Sequence, residues 1–343
     1  MRILLGMSGG LDSTYAAKKL IDEGHSVEGA VVLMHAYTEI DASRESAEAL
    51  GIKLHIIDCR KRFEERVVTN FTDEYKKGRT PNPCVICNSE IKFYALYEFA
   101  QNNGFDKIAT GHYADVLCID TETGKRYAVS CAADAKKDQT YMLWRLSQNI
   151  LSKLIFPLYN EHKENVRAIA AEAGLTAADR EESQEICFIP SGNYKEFVDM
   201  RGEPSKEGDF IDEDGNVIGR HKGIVGYTIG QRKGLGISAP TRIFVTEINP
   251  ERNTITLSKN DKYSDTVNIS GMVFSGIAEP PVQSRLHLCV KLRYLAPKIP
   301  CEMIYLGCGR ARIILETPAR AVTPGQSAVL YDKNLLCAGG FID

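Results

Sequence analysis

The first half of the chain predicts an α/β domain on a doubly wound parallel sheet, and the second half predicts a small central β domain followed by a C-terminal β-barrel. Apolar runs alternate with amphipathic helical stretches as far as about residue 190. Such alternation is typical of parallel sheets covered by helices on both faces. From about residue 206, short β-branched runs separated by Gly, Pro, Asn and Asp replace the helical patterns.

The order of these patterns predicts individual elements. Strands of the parallel sheet are expected at 3–6, 27–33, 54–57 and 107–110, and helices at 13–23, 43–50, 63–77, 91–103, 139–144 and 164–173. In the second half, strands are expected at 217–218, 242–248, 254–257, 286–292, 311–315 and 328–331. We therefore expect domains at 1–192, 193–262 and 263–343.

Composition narrows the class of protein. The 343 residues are 43% hydrophobic and 25% charged, with a formal net charge of −3. This balance gives no overall attraction to nucleic acid, so RNA binding would depend on local basic patches. Because no apolar run has the length of a membrane span, we expect no membrane contact and a cytoplasmic protein. The ten cysteines are then expected to be thiols, metal ligands or catalysts rather than disulfides.

A glycine-rich loop follows the first predicted strand. It consists of Gly6, Met7, Ser8, Gly9, Gly10, Leu11, Asp12 and Ser13. Backbone amides at the start of the next helix favour an anion, yet the lysine of a Walker loop is absent. The loop therefore predicts a pyrophosphate site, with Asp12 placed for Mg²⁺, and nucleotide chemistry at the α-phosphate. The alternative is a flexible turn that binds nothing.

Two cysteine segments supply candidate nucleophiles. Cys84 and Cys87 occur in the segment 79–88, which we expect to be a long polar loop between helices, stiffened by Pro81 and Pro83, and Cys187 follows far downstream. Because the thiolate is the reactive form, two such thiols beside an AMP-activated carbonyl would suit sulfur transfer. One thiol would carry a persulfide, and the other would release the product by forming a disulfide. Spacing alone leaves a structural or incidental role open.

Motifs along the whole chain resemble those of the tRNA-specific 2-thiouridylases, the MnmA/TrmU family. They are GMSGGLDS at 6–13, GRTPNPCVICNSEIKF at 78–93, ATGHYA at 109–114, KDQTYML at 137–143, EICFIP at 185–190, YTIGQRKGLGI at 227–237, VTPGQSAVLYD and CAGGFID. The resemblance implies a PP-loop fold and ATP-dependent adenylation of the wobble uridine of tRNA at its C2 oxygen, followed by sulfur delivery from a cysteine persulfide. It implies tRNA as a partner and a sulfur donor, which is a cysteine desulfurase, a sulfur carrier protein or free sulfide.

The resemblance also implies residue roles. Cys87 would be the nucleophile and Cys187 the persulfide carrier. ATP would contact the glycine-rich loop, Val32 and Gly111. The target base would lie against Asn82, Pro83 and Cys84, and tRNA would contact His112, Lys137, Asp138, Gln139, Arg293, Tyr294 and Gln326. Without the resemblance, we would interpret the segment 137–139 as a solvated turn and His112 as a packed histidine. The strand with Arg293 and Tyr294 would be an ordinary solvent-exposed surface.

One departure from the family pattern concerns the sulfur chemistry. Cys84 stands where most relatives have aspartate, so that Cys84, Cys87 and Cys187 together could hold a [4Fe–4S] cluster with one iron open to sulfide. A plain persulfide route is the alternative, and a zinc ribbon lacks its second cysteine pair. Rival functions are a PP-loop ligase that adenylates a small molecule, a paralogue that thiolates another uridine, and a nucleotide-binding module without catalysis.

Overall fold

A computed structural model describes residues 1–121, 124–172, 186–237 and 242–343. Its strands are β1 Arg2–Gly6, β2 Ser26–Leu33, β3 Leu54–Asp58, β4 Lys107–Thr110, β5 Asp115–Thr121, β6 Gly124–Ser130, β7 Leu154–Ile155, β8 Gly208–Ile211, β9 Val217–His221, β10 Phe244–Asn249, β11 Thr254–Ser258, β12 Tyr263–Phe274, β13 Arg285–Lys291, β14 Ile299–Gly307, β15 Arg310–Arg320, β16 Ser327–Asp332 and β17 Leu335–Ile342.

The α-helices are α1 Leu11–Asp22, α2 Ile40–Ala49, α3 Arg60–Phe63, α4 Thr69–Lys76, α5 Pro83–Cys87, α6 Phe93–Asn102, α7 Gln148–Leu151, α8 Lys163–Glu172 and α9 Tyr194–Asp199. Two π-helical segments, Glu64–Val68 and Asn88–Lys92, join α3 to α4 and α5 to α6, and short 3₁₀ turns cover Thr140–Met142 and Ile224–Gly226. None of the helices within the described ranges is both long and apolar enough to cross a membrane.

The N-terminal sheet has five strands in the order β3-β2-β1-β4-β7, and every neighbouring pair in it is parallel. Successive residues of β1 point to opposite faces, so Leu4 belongs to one apolar core while Ile3 and Leu5 belong to the other. Helices α4 and α6 contribute to the first core, and α1 and α8 contribute to the second. The predicted doubly wound α/β architecture is confirmed, and the glycine-rich loop and Thr110 both lie at carboxyl ends of strands.

Two predictions in this domain are wrong. The helix expected at 139–144 is a single 3₁₀ turn over Thr140–Met142, because its apolar residues, among them Trp144, pack against the barrel. The stretch expected to be a loop contains α5, which Pro83 starts and the Asn82 side chain caps by accepting a hydrogen bond from the Cys84 N–H at 3.2 Å. Sequence analysis also missed the β5–β6 hairpin, whose outer strand β5 has no fully buried residue.

The middle of the chain forms a four-stranded sheet in the order β10-β11-β8-β9 around the buried side chains of Phe210, Val245 and Ile255. The last third forms a barrel in the order β12-β15-β14-β13-β16-β17, which closes because β12 also pairs with β17. The small central β domain and the C-terminal barrel are therefore confirmed as architecture. Strands β8, β12, β14 and β17 were not predicted.

The N-terminal region is joined to the barrel by a buried contact. The Trp144 Nε1–H donates to the Ser327 hydroxyl at 3.0 Å, and the Tyr141 hydroxyl donates to the Ser327 carbonyl at 2.8 Å. The β5–β6 hairpin extends the barrel sheet where Ser130 pairs with Leu335. These contacts hold the barrel beside the segment that follows the parallel sheet.

Candidate nucleotide and thiol site

The glycine-rich loop leads from β1 into α1 at the carboxyl edge of the parallel sheet. Gly10 is the N-cap of α1 and has no side chain with which to cap the first turn. The Ser13 hydroxyl donates to the Gly10 carbonyl at 3.0 Å and accepts from the Ser8 N–H at 3.2 Å. The loop is therefore held in shape by its own serines, and the N-terminal end of α1 provides the backbone amides and partial positive charge that favour an anion.

The end of β4 packs directly on this loop. A Cβ at Gly111 would lie 2.7 Å from both the Asp12 carbonyl carbon and the Ser13 nitrogen, so only glycine allows this approach. Val32 is buried near the carboxyl end of β2, the strand beside β1. The predicted nucleotide contacts Val32 and Gly111 thus share one edge of the sheet with the loop. The donors at this edge fit a nucleotide phosphate, because they are hydroxyls, backbone amides and one lysine.

That lysine is Lys163, the first residue of α8. Its ammonium lies 2.7 Å and 2.8 Å from the two carboxylate oxygens of Asp12, and the Tyr113 hydroxyl donates to one of them at 3.0 Å. The Lys163 side chain is only 10% exposed. Because the ammonium contacts both carboxylate oxygens and no observation tests a metal cation there, the assignment of Mg²⁺ to Asp12 stays a prediction.

The thiols of Cys84 and Cys87 lie on α5, and the thiol of Cys187 lies opposite this helix. Cys84 and Cys87 are one helical turn apart; Cys84 is exposed, and Cys87 is buried with its thiol 3.5 Å from the Met34 sulfur. Cys187 lies in an exposed turn followed by Phe188, whose buried ring packs at 5.4 Å from both Phe63 and Phe71. The packing of Phe188 therefore holds the Cys187 turn against α3 and α4, in the same apolar core that contains Cys87.

Lys92 is the charged residue that the three thiols share. Burial lowers the pKa of Lys92, but the neighbouring Cys87, Cys84 and Cys187 outweigh burial and raise this pKa above its usual value. Burial raises the pKa of Cys87 to about 12 and raises that of Cys187, while the Lys92 ammonium opposes both shifts. Burial therefore disfavours the Cys87 thiolate, and the Lys92 ammonium favours it.

A metal at the thiols is not preformed. Within the described parts of the chain, no three His, Cys, Asp or Glu side chains are grouped so that they could hold a metal ion. A [4Fe–4S] cluster on Cys84, Cys87 and Cys187 therefore stays a prediction, as does the plain persulfide route.

Several predicted tRNA-contact residues have partners within the protein. Arg293 donates at 2.7 Å to both the Ala321 carbonyl and the Thr323 hydroxyl, and Gln326 donates at 2.8 Å to the Thr80 carbonyl. Asp138 accepts from the Thr140 hydroxyl at 2.6 Å. These bonds give the three side chains roles within the fold, and no observation tests their contact with tRNA.

The remaining tRNA candidates lie in similarly packed surroundings. Gln139 accepts from the Tyr113 N–H at 2.9 Å, and the ring of Tyr294 lies 6.2 Å from that of Tyr141. His112 bonds to the Thr110 hydroxyl at 2.9 Å, and its ring lies 5.4 Å from Phe93. Lys137 takes part in the turn that starts at Asp134. Their roles toward tRNA stay predictions.

Sequence analysis missed three residues at this site. Lys92 follows Cys87 within one helical run, so its charge among apolar neighbours was a usable signal. Lys163 is 151 positions from Asp12, and no local pattern pairs them. His35 has both ring nitrogens buried, with no hydrogen-bond partner in the described part of the chain, and its ring lies 5.4 Å from Phe63. Local sequence patterns do not reveal such an isolated histidine.

Comparison with known proteins gives full-length matches. A family model described as tRNA methyl transferase HUP domain matches residues 1–191, a PRC-barrel domain model of the same family matches 195–259, and an aminomethyltransferase beta-barrel domain model matches 264–342. The tRNA-specific 2-thiouridylase MnmA of Treponema denticola is 41% identical, and the match covers 100% of this chain and 98% of that protein. The chain belongs to the tRNA-specific 2-thiouridylase family.

Another 2-thiouridylase, that of Acetivibrio thermocellus, is 38% identical, with 99% of each chain covered. The family resemblance expected from the motifs is thus confirmed. Among solved structures, a 4-thiouridine synthetase–RNA complex with bound ATP is 17% identical with a TM-score of 0.39, covering 58% of this chain and 50% of that one, and this likeness is too remote to bear on activity.

Proposed function

We propose that this protein is an ATP-dependent tRNA 2-thiouridylase, which adenylates the wobble uridine at its C2 oxygen, replaces that oxygen with sulfur, and releases AMP and pyrophosphate. The observation that carries the proposal is the shared environment of Cys87 and Cys187. These thiols are 100 positions apart in the chain, yet Cys87 and Phe188, the residue that follows Cys187, lie in the same apolar core. The names of the full-length relatives support the same activity.

The nucleotide edge supports the first step. The hydroxyls of Ser8 and Ser13 and the amides at the start of α1 would hold the phosphates of ATP, with Gly111 allowing β4 to close on the loop. The uridine C2 oxygen then forms a bond to the α-phosphorus, and the bond from that phosphorus to the β,γ-pyrophosphate breaks. The protein's part is to orient the phosphates and to balance the charge that builds on the leaving group.

The thiol pair supports the second step. In the persulfide route, the terminal sulfur on Cys187 attacks C2 and AMP leaves with the former C2 oxygen. The Cys87 thiolate then attacks the inner sulfur of Cys187, which frees the thiolated base and leaves a Cys87–Cys187 disulfide. A thiol reductant is needed to restore the pair. In the cluster route, Cys84, Cys87 and Cys187 would bind a [4Fe–4S] cluster, which would supply sulfide at an open iron.

The proposal includes tRNA and a sulfur donor as partners and a cytoplasmic location. We keep the domain bounds 1–192, 193–262 and 263–343, and the start of β12 at Tyr263 supports the last of them. Asn82 and Pro83, which start α5, and the exposed Cys84 are proposed to face the target base. The residues proposed to contact tRNA are His112, Lys137, Asp138, Gln139, Arg293, Tyr294 and Gln326.

Nucleoside mass spectrometry tests the proposal. Unmodified tRNA is incubated with the protein, ATP and a sulfur donor, and 2-thiouridine is quantified in the digest. The donor is a cysteine desulfurase with cysteine, which delivers persulfide sulfur, or, for the cluster route, sulfide. We expect thiolation by the wild type, and none by Cys87→Ser with ATP binding retained. The matched control is Cys118→Ser, since Cys118 is exposed on the β5–β6 hairpin. Thiolation by Cys87→Ser would contradict the assignment of the nucleophile.

The rival ligase function predicts a different stimulus. For a tRNA 2-thiouridylase, pyrophosphate release should rise with tRNA and remain at its basal rate with amino acids or other small carboxylates.

Anaerobic reconstitution and iron analysis of wild type and Cys84→Ala separate the two sulfur routes. Iron bound by the wild type and lost in the variant supports the cluster, and no iron in either supports the persulfide.

A further inference from the structure

We propose that Lys163 is the cation of the nucleotide site and that its ammonium binds the pyrophosphate part of ATP. The glycine-rich loop has no lysine of its own, so a positive side chain has to come from elsewhere in the chain. The inference rests on the proposed function for the presence of ATP, and it is independent of tRNA and of the thiols.

The first support is the position of the ammonium. Lys163 is separated from the loop by 151 positions, yet its Nζ contacts both carboxylate oxygens of Asp12 in the first turn of α1. Its side chain is 10% exposed, whereas that of Asp12 is 33% exposed. A lysine this buried is rare without a charged partner. The pair therefore places a desolvated positive charge beside the amides that favour phosphate.

The second support is how firmly the lysine is held. The backbone N–H of Lys163 donates to an Asp134 carboxylate oxygen at 3.1 Å, and this bond anchors the start of α8. Val166 and Ala170 of α8 belong to the same apolar core as α1. The Tyr113 hydroxyl donates to Asp12 at 3.0 Å, and its ring centre lies 6.0 Å from the ammonium. Such preorganisation lowers the cost of placing charge on a leaving group.

The third support is the charge of the loop. Asp12 is the only ionisable residue between Gly6 and Ser13, and alone it would repel a polyphosphate. Lys163 neutralises that carboxylate, so the partial positive charge at the start of α1 acts on the ligand. As the bond between the α-phosphorus and the leaving oxygen breaks, negative charge gathers on pyrophosphate. An ammonium next to it stabilises that charge as long as the product stays bound.

Calorimetric titration without tRNA tests this assignment with ATP, AMP and inorganic pyrophosphate as the probes. In Lys163→Met we expect the Kd of pyrophosphate and of ATP to rise about tenfold, the value of one charge-assisted contact, while the Kd of AMP changes less than about twofold. Lys163→Arg should recover most of the pyrophosphate affinity. Lys19→Met is the matched control, because Lys19 is an ion-paired lysine of 18% exposure in the last turn of α1, the helix that carries Asp12.

Two outcomes would overturn the proposal. An unchanged pyrophosphate affinity in Lys163→Met means that the ammonium does not reach the ligand, and an equal loss for AMP and pyrophosphate means that the lysine only supports the fold. If the Met variant does not fold by circular dichroism, Lys163→Gln, which keeps a donor for Asp12, is measured against the same criteria. A protein that binds pyrophosphate through Lys163 but thiolates no tRNA would contradict the proposed function and leave this inference standing.

Discussion

At the scale of single residues, the Lys92 ammonium opposes the rise in pKa that burial causes at Cys87 and Cys187. Lys92→Met should therefore move the pH dependence of Cys187 alkylation to higher pH and slow the reaction severalfold at neutral pH, because less thiolate is present. Peptide-resolved mass spectrometry after a timed pulse of iodoacetamide measures this rate.

The control for that experiment is Lys61→Met, since the Lys61 side chain is 90% exposed and does not contribute to the pKa shifts of Cys87 and Cys187. Lys92→Arg keeps the charge and should restore most of the rate. An unchanged alkylation profile in Lys92→Met would show that the ammonium does not act on the persulfide-carrying cysteine.

His112 gives a prediction about acid stability. Burial lowers the pKa of His112 to about 3 from an ordinary value of 6.5. The unfolded chain therefore takes up this proton first, so the contribution to stability is complete above pH 6.5 and is lost as the pH falls from 6.5 toward 3. Over that window, His112→Gln should lose stability with a slope shallower by up to about 1.4 kcal/mol per pH unit. Urea unfolding at a series of pH values measures the slopes, and parallel curves would contradict the prediction.

At the scale of residues, the sequence located the glycine-rich loop between β1 and α1, and nucleotide binding by that loop stays a prediction. The loop from Gly6 to Ser13 could be identified because a strand, a glycine turn and a helix follow one another directly. Lys163 could not, since its link to Asp12 exists only after α8 packs on α1. Cys187 was a candidate from the sequence itself, and its role as persulfide carrier came from the family resemblance. Its proximity to Cys87 depends on the packing of Phe188 in the core that contains Cys87.

At the scale of elements, the segment before α5 is held by the barrel. The Thr80 N–H donates to the Pro324 carbonyl at 2.9 Å, and the Thr80 carbonyl accepts from Gln326 at 2.8 Å. A Cβ at Gly325 would lie 3.0 Å from the Thr80 nitrogen, so the two backbones are in close contact. Because Thr80 lies four positions before Cys84, this contact fixes where α5, the helix that carries Cys84 and Cys87, starts.

Gln326→Ala should loosen that start. Loss of one hydrogen bond costs about 1 kcal/mol, so amide exchange across residues 79–88 should become about fivefold faster, and thiolation should fall by a similar factor. Hydrogen–deuterium exchange read by mass spectrometry measures this. Gln101→Ala, at an exposed position near the end of α6, should leave exchange in that segment unchanged. Equal exchange in both variants would mean that the barrel does not hold α5.

Elements with a strong local period were predicted well, and those whose form depends on partners were not. The predicted strand 107–110 matches β4, because a short apolar run buried in a parallel sheet has a clear pattern. The prediction of a helix at 139–144 is wrong because Tyr141 and Trp144 bond to the barrel. Their spacing in the sequence therefore reflects contacts with the N-terminal core and with the barrel. Strand β14 was missed because Pro300 and Gly307 within it resemble turn residues.

At the scale of the whole molecule, the only tryptophan of the chain reports on the contact between the N-terminal region and the barrel. Trp144 is fully buried, bonds to Ser327, and packs at 5.1 Å from the Phe341 ring. Since this contact buries aromatic surface and polar groups together, we expect the two regions to unfold in one transition. Tryptophan fluorescence and far-ultraviolet circular dichroism should then give the same urea midpoint in the wild type.

Gly339→Ala tests the same interface from the barrel side. A Cβ at Gly339 would lie 2.6 Å from the Trp144 ring, so the indole has to move, at a cost of about 1–3 kcal/mol. We expect a lower urea midpoint and tryptophan emission shifted to longer wavelength in the folded state. Gly226→Ala is the control, because its Cβ would meet only the flexible Lys195 side chain at 3.2 Å. A fluorescence change well before the loss of secondary structure in the wild type would show instead that the barrel separates from a folded N-terminal domain, and the thiol site would then depend on docking as well as on folding.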